Sequence, residues 1–300
     1  MPPSVYIGID LSLSSPGISM ISEIPEDCNA AQTTLTKKNL IQLFFIPQRK
    51  KDACIDVTGT ANDSTTEISL RAYTNGNEND PGLAKDTTVA KHKKKQFQKD
   101  LHKMHKQVSL NKRYKTIIDF LQHCIQEGSK NTLGWCRDNF SITSDTCKVS
   151  VCIEGYAYNA NTGGSAKLHE LGGIVKQYLY DHNIPYLEVS PTSVKKFFTG
   201  KGTSDKLAMY REFSSRVDGF LLLSQFGHAE PNAPGLTVPN PVQDLVDATA
   251  LAFRAKKCFE ELNRQNELLL AHPPIEKKTK KKRKRSCTNT DPFFDDVLLL

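Results

Sequence analysis

The sequence lacks several features that would assign a protein to a class at once. No apolar run approaches the ~18 consecutive residues of a membrane-spanning helix, so we expect no membrane protein. Eight cysteines are scattered, without a pair at the two-residue gap of a zinc knuckle, which favours free thiols in a reducing compartment. The apolar stretch Val5–Ile9 follows Met1 almost directly, and we therefore expect no N-terminal signal or transit peptide.

Acidic residues are almost absent from two basic stretches. The net charge is +7. Residues 91–115 carry ten Lys or Arg against Asp100, and residues 277–285 read KKTKKKRKR. The rest of the chain is acidic, and this segregation favours an anionic polymer such as nucleic acid as partner. The alternative interpretation is that these basic residues only form solvated surfaces and bind no partner. The cluster at 277–285 also has the composition of a nuclear localisation signal, which predicts the nucleus or a viral replication site as the location.

The order of predicted elements indicates one α/β domain. Apolar strands are predicted over 5–10, 18–24, 40–46, 149–153 and 185–189, and helices over 91–127, 165–181, 192–198, 204–217 and 240–270. Such an order indicates a mixed sheet flanked by helices. We predict a domain over 1–270 and a basic, disordered tail over 271–300. Residues 47–90 are polar with almost no apolar periodicity, so we predict a mostly disordered insertion whose deletion over 50–88 is tolerated.

Four carboxylates lie where acids are costly unless they have a function. Asp10 and Glu154 each end an apolar strand, whereas Asp244 and Asp247 share one face of the last helix. Converging carboxylates repel one another unless cations neutralise them, and hard oxygen ligands select Mg²⁺ or Mn²⁺. Separately, Asp10 could cap a turn, Asp244 could complement a helix dipole, and Glu154 could be an ordinary strand-end residue. Jointly, the four favour a site for two metal ions that hydrolyses a phosphodiester.

The motifs around these acids resemble those of the RuvC-type Holliday junction resolvases, members of the RNase H-like superfamily. The stretch 7–12 (IGIDLS) with Pro16-Gly17 resembles the first motif, 153–156 (IEGY) the second, and Asp244-x-x-Asp247 the last. The stretches 190–196 (SPTSVKK) and 199–206 (TGKGTSDK) resemble the most specific one. The insertion and the tail are more similar to a resolvase of a large DNA virus or a eukaryotic relative than to the compact bacterial form.

The resemblance implies a fold, an activity and an assembly. The fold would be RNase H-like, with a mixed five-stranded sheet flanked by helices. The protein would be a Mg²⁺-dependent homodimer, with two metal ions per active site and Mn²⁺ as a substitute, that nicks two strands of a four-way DNA junction symmetrically. Asp10, Glu154, Asp244 and Asp247 would be the metal ligands and catalytic residues.

The predicted DNA-binding residues follow the same motifs. Tyr156 and Tyr158 come just after the glutamate, where the family carries an aromatic residue that stacks at the junction; either could stack, and either could equally be a half-buried wall residue. Backbone N–H groups of the glycine loop together with neighbouring lysines suit a phosphate. These lysines are Lys195, Lys196, Lys201 and Lys206.

Three other functions remain compatible with parts of the sequence. One is another RNase H-like nuclease, which cuts RNA–DNA hybrids or flaps. The second is a catalytically inactive protein that binds junctions, although all four carboxylates are present. The third is an actin-like or sugar-kinase-like ATPase, whose first strand also ends in Gly-x-Asp, but the chain has no second Gly-rich phosphate loop.

Overall fold

Three N-terminal strands form an antiparallel meander in the computed structural model. They are β1 (Ser4–Asp10), β2 (Gly17–Glu23) and β3 (Asn39–Phe45). β1 pairs with β2 and β2 with β3, in continuous register along their full lengths. The structure describes residues 2–13, 16–23, 39–47, 50–60, 66–73, 96–140, 146–155, 163–217, 221–228 and 238–271.

Two later strands extend the sheet in parallel beyond β1. β6 (Lys148–Glu154) pairs in parallel with β1, and β7 (Tyr186–Val189) pairs in parallel with β6. These five strands therefore lie in the order β3-β2-β1-β6-β7. The predicted α/β class with a mixed sheet is confirmed, and the carboxyl ends of the parallel strands β1, β6 and β7 meet at one edge.

The sheet has seven strands rather than the five predicted. β4 (Asp56–Thr60) and β5 (Thr66–Ala72) form a hairpin, and β5 adds to β3 in parallel. The prediction of a disordered insertion over 47–90 is thus wrong for these two strands, whereas 74–90 lies outside the described residues. Ile68 and Leu70 are fully buried. Two alternating apolar residues within a polar segment are too few to predict a strand from the sequence. The segment becomes a strand because it pairs with the otherwise unpaired edge of β3.

Removing the buried side chain of β5 is expected to destabilise the protein strongly. Ile68 packs among Ile41, Leu43 and Phe45 of β3 in the same core cluster. Replacing Ile68 with Ala should lower the free energy of unfolding by about 2–5 kcal/mol, measured by urea denaturation. For the same reason, deletion of 50–88 should no longer be tolerated. Thr58→Ala, at an exposed position of β4, is the control. A loss below about 0.5 kcal/mol for Ile68→Ala would mean that β5 is not part of the core.

Helices cover both faces of the sheet. One apolar cluster joins a sheet face to α1 and α2, and the other joins the opposite face to α3–α6. Along β1 the side chains alternate between the two clusters: Val5, Ile7 and Ile9 face α1 and α2, whereas Tyr6 faces the other side. The helices are α1 (Gln96–Phe140), α2 (Gly163–Asp181), α3 (Pro191–Thr199), α4 (Lys206–Arg216), α5 (Leu222–Gln225) and α6 (Val242–Ala271).

α1 continues well beyond its predicted end at Gly128. The glycine is a packing position, because a Cβ there would collide with the Met20 sulfur of β2. Its carbonyl accepts a hydrogen bond from Gln42 Nε2 at 3.0 Å. The same region of α1 is tied to the sheet by Thr132, whose hydroxyl lies 2.6 Å from that of Ser22. Tertiary contacts, which periodicity does not reveal, thus favour glycine within this helix.

The chain divides into two compact units, Met1–Glu261 and Leu262–Leu300. The first contains all seven strands, α1–α5 and most of α6. Of the second, the structure describes residues 262–271, the end of α6. The predicted tail over 271–300, with its basic cluster at 277–285, lies outside the described residues except for Ala271. In the part of the chain that is described, no helix is both long and apolar enough to cross a membrane.

Candidate active site

Asp10 and Glu154 lie side by side at the ends of neighbouring strands. β1 and β6 are parallel, and the residue before each acid pairs with the residue before the other. Side chains alternate along a strand, so Asp10 shares a face with Gly8, and Glu154 shares a face with Cys152. Both faces pack against the α3–α6 side of the sheet. The two carboxylates therefore lie at the same edge and on the same face.

Two glycines let α6 approach this edge closely. Gly17 of β2 is the register partner of Asp10, and a Cβ on it would lie 2.6 Å from the carbonyl carbon of Asp244. A Cβ on Gly8 would lie 2.9 Å from the carbonyl carbon of Leu251. Real Cβ atoms essentially never come within 3.0 Å of such atoms. Any side chain at either position would push α6, with its two acids, away from the strand ends.

The first two turns of α6 contribute the other two acids. Asp244 is buried, with 7% of its surface exposed, and Asp247 is half-buried. The side chain of Gln243 hydrogen-bonds Asp247 and thereby lowers the pKa of its carboxyl. Sequence analysis missed this role of Gln243, although its i,i+4 spacing from Asp247 is that of a helical side-chain pair.

Burial and mutual repulsion raise the pKa values of the carboxyls. The pKa of Asp10 is raised well above its ordinary value by desolvation and then by the charges of Glu154, Asp244 and Asp247. Desolvation, followed by the charge of Asp247, raises the pKa of Glu154 to about 7. The pKa of Asp247 is also raised, because its desolvation outweighs nearby positive charges. These interactions show that the four predicted acids converge electrostatically at one edge of the sheet.

Two of the four predicted lysines lie close enough to act on this cluster. Lys195 of α3 lowers the pKa values of Glu154 and Asp247. Lys206, the first residue of α4, lowers those of Asp10 and Asp247. Their charges therefore offset part of the repulsion among the acids, an electrostatic link that sequence spacing did not reveal.

Lys196 and Lys201 are exposed and are not among the groups that shift these carboxyls. Lys201 belongs to a tight turn in which the Thr199 and Ser204 hydroxyls lie 2.6 Å apart and the Ser204 hydroxyl donates to the Lys201 carbonyl at 2.7 Å. The turn holds Lys201 on the surface between α3 and α4, whereas Lys196 lies within α3.

That backbone N–H groups of the glycine loop help to hold a phosphate stays a prediction, but the first turn of α4 is capped by a carboxylate. The Asp205 carboxylate caps α4 and accepts from the amide of Ala208 at 2.8 Å. Ser190 caps α3 in the same way, accepting from the Ser193 amide at 3.3 Å. A phosphate at the N-terminus of α4 would meet the negative charge of Asp205. Tyr156 and Tyr158 lie outside the described residues.

The donor chemistry of the cluster fits a hard divalent cation. Carboxylate oxygens are the ligands that Mg²⁺ and Mn²⁺ prefer, and the pKa values of Asp10 and Glu154 are raised first by desolvation and then by the charges of neighbouring acids. Within the described ranges, however, no three His, Cys, Asp or Glu side chains form a ready coordination group. Coordination of one cation by three of these carboxylates would therefore require their side chains to move closer together.

The stability of the metal-free protein is expected to fall as the pH rises towards neutrality. The folded pKa of Glu154 is about 7, against an ordinary value of 4.5, so the folded protein holds this proton more tightly than the unfolded chain does. The resulting stabilisation is complete below about pH 4.5 and lost as the pH rises through about 7, a change of about 3 kcal/mol. Urea denaturation in EDTA at pH 5 and pH 8.5 measures it.

Glu154→Gln should show a smaller loss between these two pH values, because its amide does not titrate. Glu212→Gln, which removes the ion pair of this half-buried carboxylate with Arg216, is the matched control and should retain most of the pH dependence. An equal pH dependence in Glu154→Gln and the wild type would contradict the raised pKa.

Comparison with known proteins gives matches only among solved structures. No family model matches the chain, and no curated protein does. The RuvC structure from Thermus thermophilus matches with 12% identity and a TM-score of 0.33, covering 86% of this chain and 96% of that chain. The same protein in complex with Holliday junction substrate matches with 12% identity, a TM-score of 0.28 and the same coverage.

A third solved structure is the yeast mitochondrial Holliday junction resolvase Ydc2. It is 14% identical, with a TM-score of 0.38, and the match covers 90% of this chain and 85% of that one. The strand order and register of the chain itself establish its mixed α/β sheet. In its motifs the chain is similar to the RuvC-type Holliday junction resolvases of the RNase H-like superfamily.

Proposed function

We propose that the protein is a metal-dependent endonuclease that resolves four-way DNA junctions by hydrolysing two phosphodiester bonds symmetrically. The observation that carries the proposal is the convergence of Asp10, Glu154, Asp244 and Asp247 at one sheet edge, with the charges of Lys195 and Lys206 beside them. Four acids with unfavourable mutual charge at a buried edge reduce stability, and a cation-binding function explains why they are there.

The residues of the cluster have distinct parts in this proposal. Asp10, Glu154, Asp244 and Asp247 would hold two Mg²⁺ ions, after Asp10, Glu154 and Asp247 lose the protons that their raised pKa values retain. When bound, such ions supply an activated water and stabilise charge on the leaving oxygen. Lys195 and Lys206 would draw the scissile phosphate to this edge, since lysines act as point charges on phosphates. Gln243 would hold Asp247 in its deprotonated form.

The exposed lysines would bind DNA beyond the scissile phosphate. Lys196 follows Lys195 directly, and Lys201 lies five residues before Lys206. Neither shifts the pKa values of the acids, which suits contacts with phosphates beside the scissile one. Such contacts contribute affinity and register rather than sequence specificity.

A homodimer follows from the symmetry of the substrate. Two nicks related by a two-fold axis need two active sites, and a C₂ dimer supplies them. Light scattering should give a mass of about 67 kDa, twice the 33.5 kDa of the chain.

Cleavage of a substrate panel tests the proposed function. The purified chain is incubated with a synthetic four-way junction, a plain duplex, an RNA–DNA hybrid and a flap, with Mg²⁺, with Mn²⁺ or with EDTA. Symmetric paired nicks in the junction alone, dependent on metal, support the proposal. Preferential cleavage of the hybrid or the flap would identify another nuclease of this superfamily. Junction binding without any cleavage would identify an inactive binding protein.

A further inference from the structure

α1 passes the edge of the sheet that carries the acids and continues beyond it. The Phe120 ring packs against Tyr73, with ring centroids 5.2 Å apart, and the Tyr73 amide donates to the carbonyl of Phe45. Phe45 pairs with Gly17, which pairs with Asp10. Phe120 is therefore level with the acid edge. From there α1 runs back along the sheet towards Thr132, so its earlier residues lie on the outer side of the edge.

Two side chains anchor the base of this outer part: Leu110, which packs partly buried against the core, and Tyr114. The Tyr114 hydroxyl donates to the Lys167 carbonyl at 2.9 Å and to Glu170 Oε2 at 2.8 Å, both in α2. Every residue of 103–109 is exposed, so this segment has no packed side. Lys103 lies eleven residues before Tyr114, about 16 Å further along the helix. We call residues 103–113 the α1 overhang.

The inward face of the overhang is basic. Residues spaced alternately three and four apart lie along one face of a helix, and Ile117, Phe120 and Cys124 on this face are fully buried in the core. On the same face, the positions before the core are Lys103, Lys106, Leu110 and Arg113. The face that packs on the sheet thus becomes positively charged where the helix leaves the sheet.

No ion pair between described side chains neutralises this surface. The sequence from 101 to 118 contains no Asp or Glu. Among the side chains that the structure describes, no ion pair joins Lys103, Lys106 or Arg113 to an acid. The positive charges of this face are turned towards the space in front of the acid edge. A polyanion in that space would neutralise them.

We propose that the α1 overhang binds the phosphate backbone of a duplex DNA arm, as a second contact surface separate from the acid cluster. This inference rests on the proposed function for the direction of the DNA. At 3.4 Å per base pair, a 16 Å overhang spans about five base pairs, so it would contact the arm about one half-turn from the scissile phosphate. The overhang supplies affinity and holds the arm in place, because phosphate contacts carry no sequence information.

The salt dependence of binding tests this proposal. Each phosphate contact adds about 0.9 to the slope of log affinity against log salt. Lys103→Ala with Lys106→Ala should lower that slope by about 1.8 and weaken binding about 60-fold at 0.1 M salt, measured in EDTA with a four-way junction and with a plain duplex. Lys103→Arg with Lys106→Arg should bind like the wild type.

The matched control removes two lysines from the opposite edge. Lys148 and Lys257 are exposed; Lys148 begins β6, and Lys257 lies near Glu260, beside Glu23 at the far end of β2. Their double Ala variant should keep the wild-type slope. An equal fall in both double variants would mean that net charge, rather than the overhang, sets the affinity, and would overturn the proposal.

Photo-crosslinking gives an independent measurement. A photoreactive residue at position 106, about 12 Å beyond Tyr114, should crosslink to an arm about three to four base pairs from the scissile phosphate. Crosslinking to a second copy of the chain, with an unchanged salt slope, would identify the overhang as a protein interface through exposed Met104 and Val108 and overturn the proposal. The duplex assay does not require cleavage, so an inactive protein with the expected slopes would refute the proposed function but retain this inference.

Discussion

Replacing Asp10 with Asn is expected to reduce junction cleavage at least about 100-fold, equivalent to about 2.7 kcal/mol of transition-state stabilisation. The charges of the other three acids all raise the pKa of Asp10, which places it at the centre of the cluster. The amide of Asn would remove the ligand at that position. Glu154→Gln and Asp247→Asn should have effects of the same size. Cleavage is measured with excess enzyme and Mg²⁺, so that binding does not limit the rate.

Junction binding by Asp10→Asn should stay near the wild-type value, because affinity comes mainly from Lys and Arg contacts with phosphates. The variant should also melt no lower than the wild type in EDTA, since the amide carries no charge into the desolvated cluster. Asp56→Asn is the control: Asp56 lies on β4 with 73% of its side chain exposed and pairs with Arg71. Cleavage by Asp10→Asn above one-hundredth of wild type would remove this residue from the site.

Replacing Gly8 with Ala is expected to destabilise the protein by about 3 kcal/mol or more, because overpacking displaces backbone that cannot yield cheaply. A Cβ at Gly8 would meet the α6 backbone at Ala248, Leu251 and Ala252. The helix must move outwards, and Asp244 and Asp247 move with it. Cleavage by the folded fraction should fall about 100-fold, since a displacement of about 1 Å has effects of this size. Urea denaturation and cleavage rates measure the two effects.

Gly134→Ala provides a matched control within α1. A Cβ there has nothing within 4 Å, and Ala is preferred over Gly within a helix by about 0.5–1 kcal/mol. This variant should therefore be slightly more stable than the wild type and fully active. If Gly8→Ala were equally harmless, α6 would not lie as close to β1 as the structure has it.

Local sequence patterns predicted the elements whose signals are local. The apolar runs around 5–10, 40–46 and 149–153 became strands, because continuous apolar residues require burial on both faces of a sheet. Asp10, Glu154, Asp244 and Asp247 were identifiable because acids beside such runs are costly. Sequence also predicted that the last helix would carry Asp244 and Asp247 on one face, since their spacing of three fits a helical turn.

Tertiary structure alone decided the features that depend on distant partners. Thr66–Ala72 became a strand because β3 offered it an unpaired edge, although its own sequence is mostly polar. α1 continued past Gly128 because Gln42 and Met20 of the sheet contact that glycine. Lys195 and Lys206 act on the acids from two different helices.

The close approach of α6 to the sheet was also decided by tertiary structure. Gly8 and Gly17 look like ordinary strand and turn residues in the sequence, and only the packed helix shows why a side chain is excluded there. The sequence by itself determined which residues carry charge and which segments must be buried, because hydrophobicity and ionisation are properties of single residues. How far apart the charges lie was decided by packing between elements more than 200 residues apart, and this separation determines the pKa values and the candidate chemistry of the site.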